Sequence, residues 1–423
     1  MKKVLTAIFA FLFLFSAVGG AAAYVNAEED TELAKNCKAA YLCDWHSGTR
    51  IYSKNETQHL PIASMCKIMT LVLIMDELES GSLKLDEEIA VSENASGMGG
   101  SQVFLESGTT YKASDLIKSI CIASANDSCV AMAERIAGTE DLFISKMNER
   151  AKSLGAEDTV YVNCTGLPKQ GQYSCAKDVA LILGELLRHD VYYSFSKIWM
   201  DKISHPKGRE TEMANTNKLI RFYNGCDAGK TGFTSEAGFC LAASAKRGNM
   251  RVVSVVIGGS DSKARFGAVS TMFDFAFATC ENKVAVDSER VLDEKCEVSG
   301  GKTDCVSVKP ERSSYVFVNK TENPEIVLDV NLTGLKAPVK IGDVAGEVIV
   351  YKNGVETDRV TLRANEEIAK NTLWDAIGNI AKKLERIKFE KQSETNSFGL
   401  LYFTPNFQIK YLQSERIFGT IER

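Results

Sequence analysis

Three short motifs carry residue types that can do chemistry together. In Ser64-Met65-Cys66-Lys67 the i,i+3 spacing puts a hydroxyl and an amine on one face of a helix, one turn apart. A serine hydroxyl is a weak nucleophile until a nearby base takes its proton. Lys67 can be that base only if burial and neighbouring positive charge hold it partly neutral. Taken alone the quartet is weak, because Ser64 could equally be a plain helix N-cap. In Ser124-Ala125-Asn126, at the junction of two predicted helices, Ser124 can relay a proton from Lys67 to a leaving amine, and Asn126 can bind a substrate amide. In Lys230-Thr231-Gly232, followed by Phe233, the two polar side chains can hold a substrate carboxylate and Lys230 adds charge that lowers the pKa of Lys67. Gly232 lets the backbone approach a ligand, and the Ser64 and Phe233 N–H groups could form an oxyanion hole. Each of the last two motifs also has a bland reading, a capped helix connection and an exposed strand end.

The elements that must position these motifs are legible from pattern. Cys37 to Ile62 reads as strand, turn, strand, with apolar Ala39–Leu42 and alternating Arg50–Tyr52. An apolar run without Gly or Pro from Ser64 to about Glu79 predicts a buried helix. Helices follow at Ala113–Ser124, Asp127–Ala137, Leu142–Leu154 and Ala176–Arg188, then strands at Gly238–Lys246 and Arg251–Gly258 and a helix at Ala264–Ala278. Strands at both sequence ends with helices between predict an α/β fold, an antiparallel sheet sandwiched by helices whose first and last strands share a layer. Beyond about Val284 helical periodicity gives way to short strands at Ser314–Val318, Glu325–Leu328, Gly346–Tyr351 and Val360–Arg363, a small all-β domain. From Glu366 the helical period returns, with Leu373, Trp374, Ile377, Ile380, Ala381, Leu384 and Ile387 on one face and Lys382, Lys383, Arg386 and Lys388 on the other. Such a helix fits a membrane surface, and fits equally well against its own β domain. The expected division is a signal at 1–27, a catalytic domain at 28–284, the β domain at 285–365, an amphipathic helix at 366–392 and an unassigned tail at 393–423.

Composition bounds the function class. The 423 residues are 45% hydrophobic and 25% charged, which excludes wholesale disorder and fibrous composition. A net charge of -5 gives no footprint for nucleic acid. Met1-Lys2-Lys3, the apolar run Val4–Val18 and small residues around Ala23 and Ala27 make the three-part layout of a secretory signal. The run is short for a membrane span of roughly 20 residues, so the protein is expected to be exported and to work outside the cytoplasmic membrane. The 12 cysteines form no C-x-x-C pair, so a zinc ribbon has no support and no metal or cofactor is implied. Cys296 and Cys305, around a Gly-Gly turn, are the best candidate disulfide; most others read as small buried hydrophobes.

Order, spacing and context of the three motifs together match those of penicillin-binding proteins and class A β-lactamases. Over residues 37–370 the chain resembles the low-molecular-weight D-alanyl-D-alanine carboxypeptidases. The resemblance rests on 60–70 around the S-x-x-K quartet, Gly99-Gly100-Ser101-Gln102-Val103-Phe104-Leu105, 124–127, Met147–Ala151, Asn163-Cys164-Thr165-Gly166-Leu167 and Lys230–Thr234. It implies that Ser64 is acylated, that Lys67 is the base, that Lys230 binds substrate, and that Arg265 meets the terminal carboxylate. The implied partners are a peptidoglycan stem peptide ending in D-Ala-D-Ala and β-lactams, which mimic it and acylate Ser64. Departures are modest: Cys66 stands where Thr is usual and Cys164 where Pro is usual. By helical spacing Cys66 faces neither Ser64 nor Lys67, so activity is expected to survive.

Competing readings stay open at this point. A β-lactamase would need a glutamate in an E-x-x-L-N segment between Asn126 and Lys230, which is missing, and would lack the C-terminal β domain. Endopeptidase or transpeptidase balance at the same site is not separable by motif. A non-catalytic wall-binding module would have no need for three intact motifs.

Overall fold

The computed structural model describes residues 32–372 together with 374, 375, 377 and 378. The expected signal, most of the 366–392 helix and the 393–423 tail lie outside the described residues. Two compact units result. Among the described residues, one comprises 32–287 with Ser313–Asp329 and Ile349–Asp358; the other comprises Ser288–Arg312, Val330–Val348 and the described chain from Arg359.

In the first unit, β1 (Ala39–Asp44) and β2 (Arg50–Lys54) form a hairpin, and a 3₁₀ turn at Ala63–Cys66 runs into α1 (Lys67–Glu79). Every residue of α1 from Lys67 to Met75 is buried, as an apolar run on all sides of a helix requires. A short hairpin of β3 (Glu88–Ala90) and β4 (Thr110–Lys112) encloses α2 (Glu93–Ser96). Then come α3 (Ala113–Ile122), α4 (Asn126–Ala137), α5 (Glu140–Leu154), α6 (Ala176–Leu186) and the single turn α7 (Tyr193–Ser196). The five long helices lie within a few residues of their predicted spans.

A second hairpin, β5 (Met200–Ser204) with β6 (Glu210–Ala214), was not read from the sequence. Its strands alternate around single buried residues, Ile203 and Met213, so no apolar run announces them. After the short α8 (Leu219–Phe222) come β7 (Cys226–Thr234), β8 (Gly238–Arg247) and β9 (Met250–Gly259), followed by α9 (Ser262–Thr279). The five-stranded sheet has the order β2-β1-β9-β8-β7 and is antiparallel throughout, so the two ends of the sequence do share one layer.

Alternation along the strands divides the apolar side chains between two cores. Tyr41, Val253, Val255 and Ile257 pack with α1, α3, α4 and α6 on one face. Leu42, Leu241, Val252 and Val256 pack with α9 on the other. A strand covered on both faces reads as continuous apolar sequence, which is why β9 has no polar alternation. Placing β7 at the end of the order leaves it as an edge strand.

Beyond α9 the chain is strand: β10 (Cys280–Val286), β11 (Lys295–Ser299), β12 (Cys305–Pro310), β13 (Ser314–Asn319), β14 (Ile326–Leu332), β15 (Leu335–Lys336), β16 (Val344–Lys352) and β17 (Val355–Ala364). β10 pairs with β13, and a six-stranded sheet has the order β14-β16-β17-β12-β11-β15. Two expectations are corrected here. All 12 cysteines are free. Cys296 stands opposite Val306 and Cys305 opposite Glu297, so the strand period turns the two thiols to opposite faces and prevents a bridge. The helix expected from Glu366 also begins later. Ile368 exchanges two backbone hydrogen bonds with Val339, and Lys370 bridges Gly301, which keeps 366–371 extended. Thr372 then caps the turn: its hydroxyl accepts the Asp375 N–H at 3.2 Å, while Asp375 accepts the Thr372 N–H at 2.9 Å.

Candidate active site

Ser64 lies in the 3₁₀ turn that leads into α1, half-buried, immediately after Ala63 in a left-handed conformation with φ of 47°. Two glycines make that turn possible. A Cβ on Gly166 would stand 2.0 Å from the Ala63 carbonyl oxygen, and one on Gly232 would stand 2.6 Å from that of Ile62 and 3.2 Å from the Ser64 nitrogen. Any side chain at either position would push the Ser64 turn out of place.

Lys67, fully buried, directs its Nζ to Ser64 Oγ at 3.1 Å and to the Thr165 carbonyl. Its ammonium is held below the ordinary lysine range, first of all by burial, with no carboxylate paired to it among the described residues. From the sequence, neighbouring positive charge is expected to act on Lys67 beside burial. That repulsion bears instead on Lys230, whose ammonium is pushed well below its ordinary range by burial first and by Lys67 next.

The second motif also sits on strained backbone. Ser124 has φ of 63° between α3 and α4, and its Oγ accepts a hydrogen bond from Lys230 Nζ at 2.8 Å. Asn126 donates through its side-chain amide to the Gly99 carbonyl at 2.7 Å; its Oδ1 is buried and without a partner. Lys230, Thr231, Gly232 and Phe233 lie on the edge strand β7. Period-two geometry turns Lys230 and Gly232 to the same face, one reaching Ser124 and the other pressed on the Ser64 turn. The ring of Phe233 is 55% exposed and stands 4.4 Å from that of Phe239.

Arg265, in the first turn of α9, donates from Nη1 to the carbonyls of Gly232 at 3.1 Å and Cys240 at 3.3 Å. Burial lowers its pKa, and its Nε is buried without a partner. The structure therefore joins Ser64 to Lys67 and to the Gly232 backbone, Ser124 to Lys230, and Arg265 to the Gly232 carbonyl, with Asn126 following Ser124 at the start of α4. Cys66 is where helical spacing put it, pointing away, with its thiol donating to the Asn163 carbonyl at 3.2 Å. Burial pushes that thiol far above its ordinary range, which argues against oxidation sensitivity.

Sequence reasoning missed the groups that hold the cleft in shape. Asn163 Oδ1 accepts the N–H groups of Thr165 and Gly166 at 3.2 and 2.7 Å, an Asx turn that aims the Thr165 carbonyl at Lys67. Asn-x-x-Gly was the available signal. The buried Asp127 carboxylate accepts the N–H groups of Val103 and Leu105, each at 3.1 Å, which ties the 101–105 loop to the start of α4. Nothing in local sequence distinguishes that aspartate from a helix-start residue.

Comparison with known proteins agrees with this geometry. The family described as D-alanyl-D-alanine carboxypeptidase matches residues 25–261, and the penicillin-binding protein 5 C-terminal domain matches residues 281–370. The D-alanyl-D-alanine carboxypeptidase DacF of Bacillus subtilis (strain 168) is 36% identical over 375 residues, 88% of this chain and 95% of its own length. DacC of Escherichia coli (strain K12), another D-alanyl-D-alanine carboxypeptidase, is 32% identical over 382 residues, 87% of this chain and 93% of its own. Among solved structures, penicillin binding protein 5 from Haemophilus influenzae superposes with a TM-score of 0.61 at 26% identity, covering 79% of this chain and 98% of that one. PBP3 from Streptococcus pneumoniae shares the fold, with a TM-score of 0.66 at 24% identity over 79% of this chain and 99% of that one. On the match over residues 25–261 and these identities, the chain belongs to the D-alanyl-D-alanine carboxypeptidase family.

Proposed function

We propose that Ser64 performs serine-type D-Ala-D-Ala carboxypeptidase chemistry on peptidoglycan pentapeptides. The observation that carries the reading is the 3.1 Å contact between Ser64 Oγ and the buried Nζ of Lys67. Neutral Lys67 takes the hydroxyl proton as Oγ attacks the penultimate D-alanine carbonyl. The Ser64 and Phe233 N–H groups receive the oxyanion. Ser124, hydrogen-bonded to Lys230, relays the proton to the departing D-alanine nitrogen. Water then cleaves the acyl-enzyme ester and restores Ser64. Asn126 Oδ1, buried and unpartnered, suits a substrate N–H. Lys230, Thr231 and Arg265 suit the terminal carboxylate. A β-lactam presents its ring carbonyl in the place of the D-alanine carbonyl and acylates the same oxygen as its C–N bond opens, but its leaving nitrogen stays tethered. Removal of terminal D-alanine limits cross-linking by removing the activated bond.

The remaining assignments are part of the same proposal. Residues 1–27 direct export, and the enzyme acts at the cell wall or the outer face of the cytoplasmic membrane. Residues 28–284 form the catalytic domain, 285–371 the β domain with its last extended segment, and a helix within 372–392 associates peripherally with the membrane. No described helix is long and apolar enough to cross a membrane. Cell fractionation before and after deletion of residues 367–423 tests the anchoring. Release of D-alanine from a pentapeptide, with Ser64→Ala as control, tests the reaction: release by that variant overturns the role of Ser64.

A further inference from the structure

The β5–β6 hairpin takes no part in the proposed reaction, yet its turn grips the loop formed by residues 99–106. Arg209, at that turn, donates from Nη2 to the Phe104 carbonyl at 2.6 Å and to the Glu106 carboxylate at 3.2 Å. His205, buried at the other end of the turn, shares a hydrogen bond of 2.8 Å with the Tyr111 hydroxyl. That hydroxyl in turn accepts the Glu106 N–H at 3.2 Å.

The gripped loop wraps around Asn126. This residue donates its backbone N–H to the Ser101 carbonyl and its side-chain amide to the Gly99 carbonyl, each at 2.7 Å. A Cβ on Gly100 would stand 2.9 Å from that amide nitrogen, so the loop backbone lies directly against it. With Nδ2 held by Gly99, Oδ1 is the atom left for a substrate N–H. The loop itself is strained. Phe104 has φ of 64°, and the N–H groups on either side of it, from Val103 and Leu105, are bound to Asp127. A bulky residue keeps that conformation only where its surroundings hold it. Here Asp127 holds the two flanking N–H groups and Arg209 holds the Phe104 carbonyl.

We propose that Arg209 is a positioning residue for Asn126. By fixing the strained Phe104 carbonyl it keeps the loop against the Asn126 side chain, and so keeps Oδ1 aimed at the substrate amide N–H. The hairpin thereby serves recognition of the acyl side of the substrate, not of the leaving D-alanine. The inference rests on the carboxypeptidase reading of Ser64 and extends it to a residue outside the three motifs.

Two β-lactams separate positioning from general damage in the full-length enzyme. Benzylpenicillin offers an acylamino N–H to Asn126, whereas a carbapenem carries a hydroxyethyl group in that place. Arg209→Ala should lower the acylation rate constant of benzylpenicillin about tenfold, short of the ~10²-fold that a 1 Å misplacement can cost. That of the carbapenem should change less than about twofold, since no contact with Asn126 is at stake. The ratio is read within one preparation, so any misfolded fraction cancels. Arg209→Lys, whose ammonium still donates to a carbonyl, should restore the ratio to within about threefold of the wild type. In an Asn126→Ala background, Arg209→Ala should leave the ratio where it is. Equal losses on both inhibitors, no loss on benzylpenicillin, or an undiminished effect without the Asn126 side chain overturns the assignment. Failure of the wild type to be acylated or to release D-alanine is a different result: it removes the carboxypeptidase reading itself.

Discussion

In the catalytic cleft, Lys67 and Lys230 are buried at 0% and 1% exposure, and neither meets a carboxylate among the described residues. In the second unit several cations sit at the surface in ion pairs: Arg363 with Glu311 at 2.6 Å, Lys309 with Glu289 at 3.6 Å, and Arg359 with Glu347. Exposed pairs of this kind add little to stability. Two buried, unpaired ammoniums in one cleft cost stability, and their burial lowers both pKa values. A fold keeps such groups where it needs a base near neutrality. The contrast separates a region arranged for proton transfer from one arranged for solubility.

The largest effect tests whether the cleft is a reaction centre at all. Ser64→Ala should lower D-alanine release by about 10⁴-fold or more and abolish covalent labelling by fluorescent penicillin, with an unchanged circular dichroism spectrum. Labelling of that variant would dissolve the contrast. Lys67→Met should follow with a loss of about 10³-fold in acylation, within the range of a general base and its positioning. The acidic limb of the wild-type profile should report the same group. Under the proposed mechanism acylation needs neutral Lys67, so kcat/KM should fall as pH drops through its lowered pKa. A flat acidic limb would move the base role elsewhere.

Gly166→Ala sharpens the comparison from the backbone side, because it touches no charge. The new Cβ would meet the Ala63 carbonyl at 2.0 Å, at a residue whose φ is 81°. We expect about 3 kcal/mol of destabilisation in urea unfolding. A penicillin acylation rate lowered about 100-fold should accompany it, since the displaced group is the nucleophile turn. The same substitution at Gly354, a hairpin glycine with open space around it and φ of 77°, should cost stability without touching acylation.

How far this was legible in the sequence depends on what set each feature. The long helices and the sheet strands follow from periodicity and continuous apolar runs, which burial dictates locally. Ser64, Lys67, Ser124 and Lys230 were legible because motif spacing reflects the turns of helix and strand that bring them together. The β5–β6 hairpin was not, since one buried residue per strand leaves no pattern. Asp127 and Gly166 act through contacts with residues 22 to 24 and about 100 positions away, which no local window contains. The start of the last helix was misplaced because Ile368 spends its backbone bonds on Val339, a partner far away in sequence that no local pattern announces.

Lys230→Met gives the stability counterpart of the charge argument. It should cost activity but raise stability at pH 7 by about 1–3 kcal/mol, since an apolar side chain of similar length replaces an unpaired buried amine. The sign with pH follows from linkage. A lysine with a lowered folded pKa binds fewer protons folded than unfolded, so stability rises with pH from that pKa up to the ordinary value of 10.5. Melting temperature in the wild type should therefore climb between neutral and alkaline pH, and less so in Lys230→Met. A variant with the wild-type slope would show that Lys230 is not the group out of place.

The smallest effect concerns the thiols. Eleven of the cysteines are buried and Cys305, on β12, is partly exposed. Burial pushes the thiols of Cys37 and Cys240 up to about 11 and those of Cys43 and Cys129 up to about 12, so none forms thiolate near neutrality. A thiol reagent such as DTNB should give one fast equivalent per native chain, from Cys305, and the rest only on unfolding. Cys305→Ser should remove that fast phase and leave D-alanine release unchanged. A fast phase that survives the substitution, or that removes activity as it proceeds, would mean a cleft thiol such as Cys66 or Cys129 opens to solvent. The separation between a sealed reaction centre and a surface of ordinary exchangeable charge would then fail at its boundary.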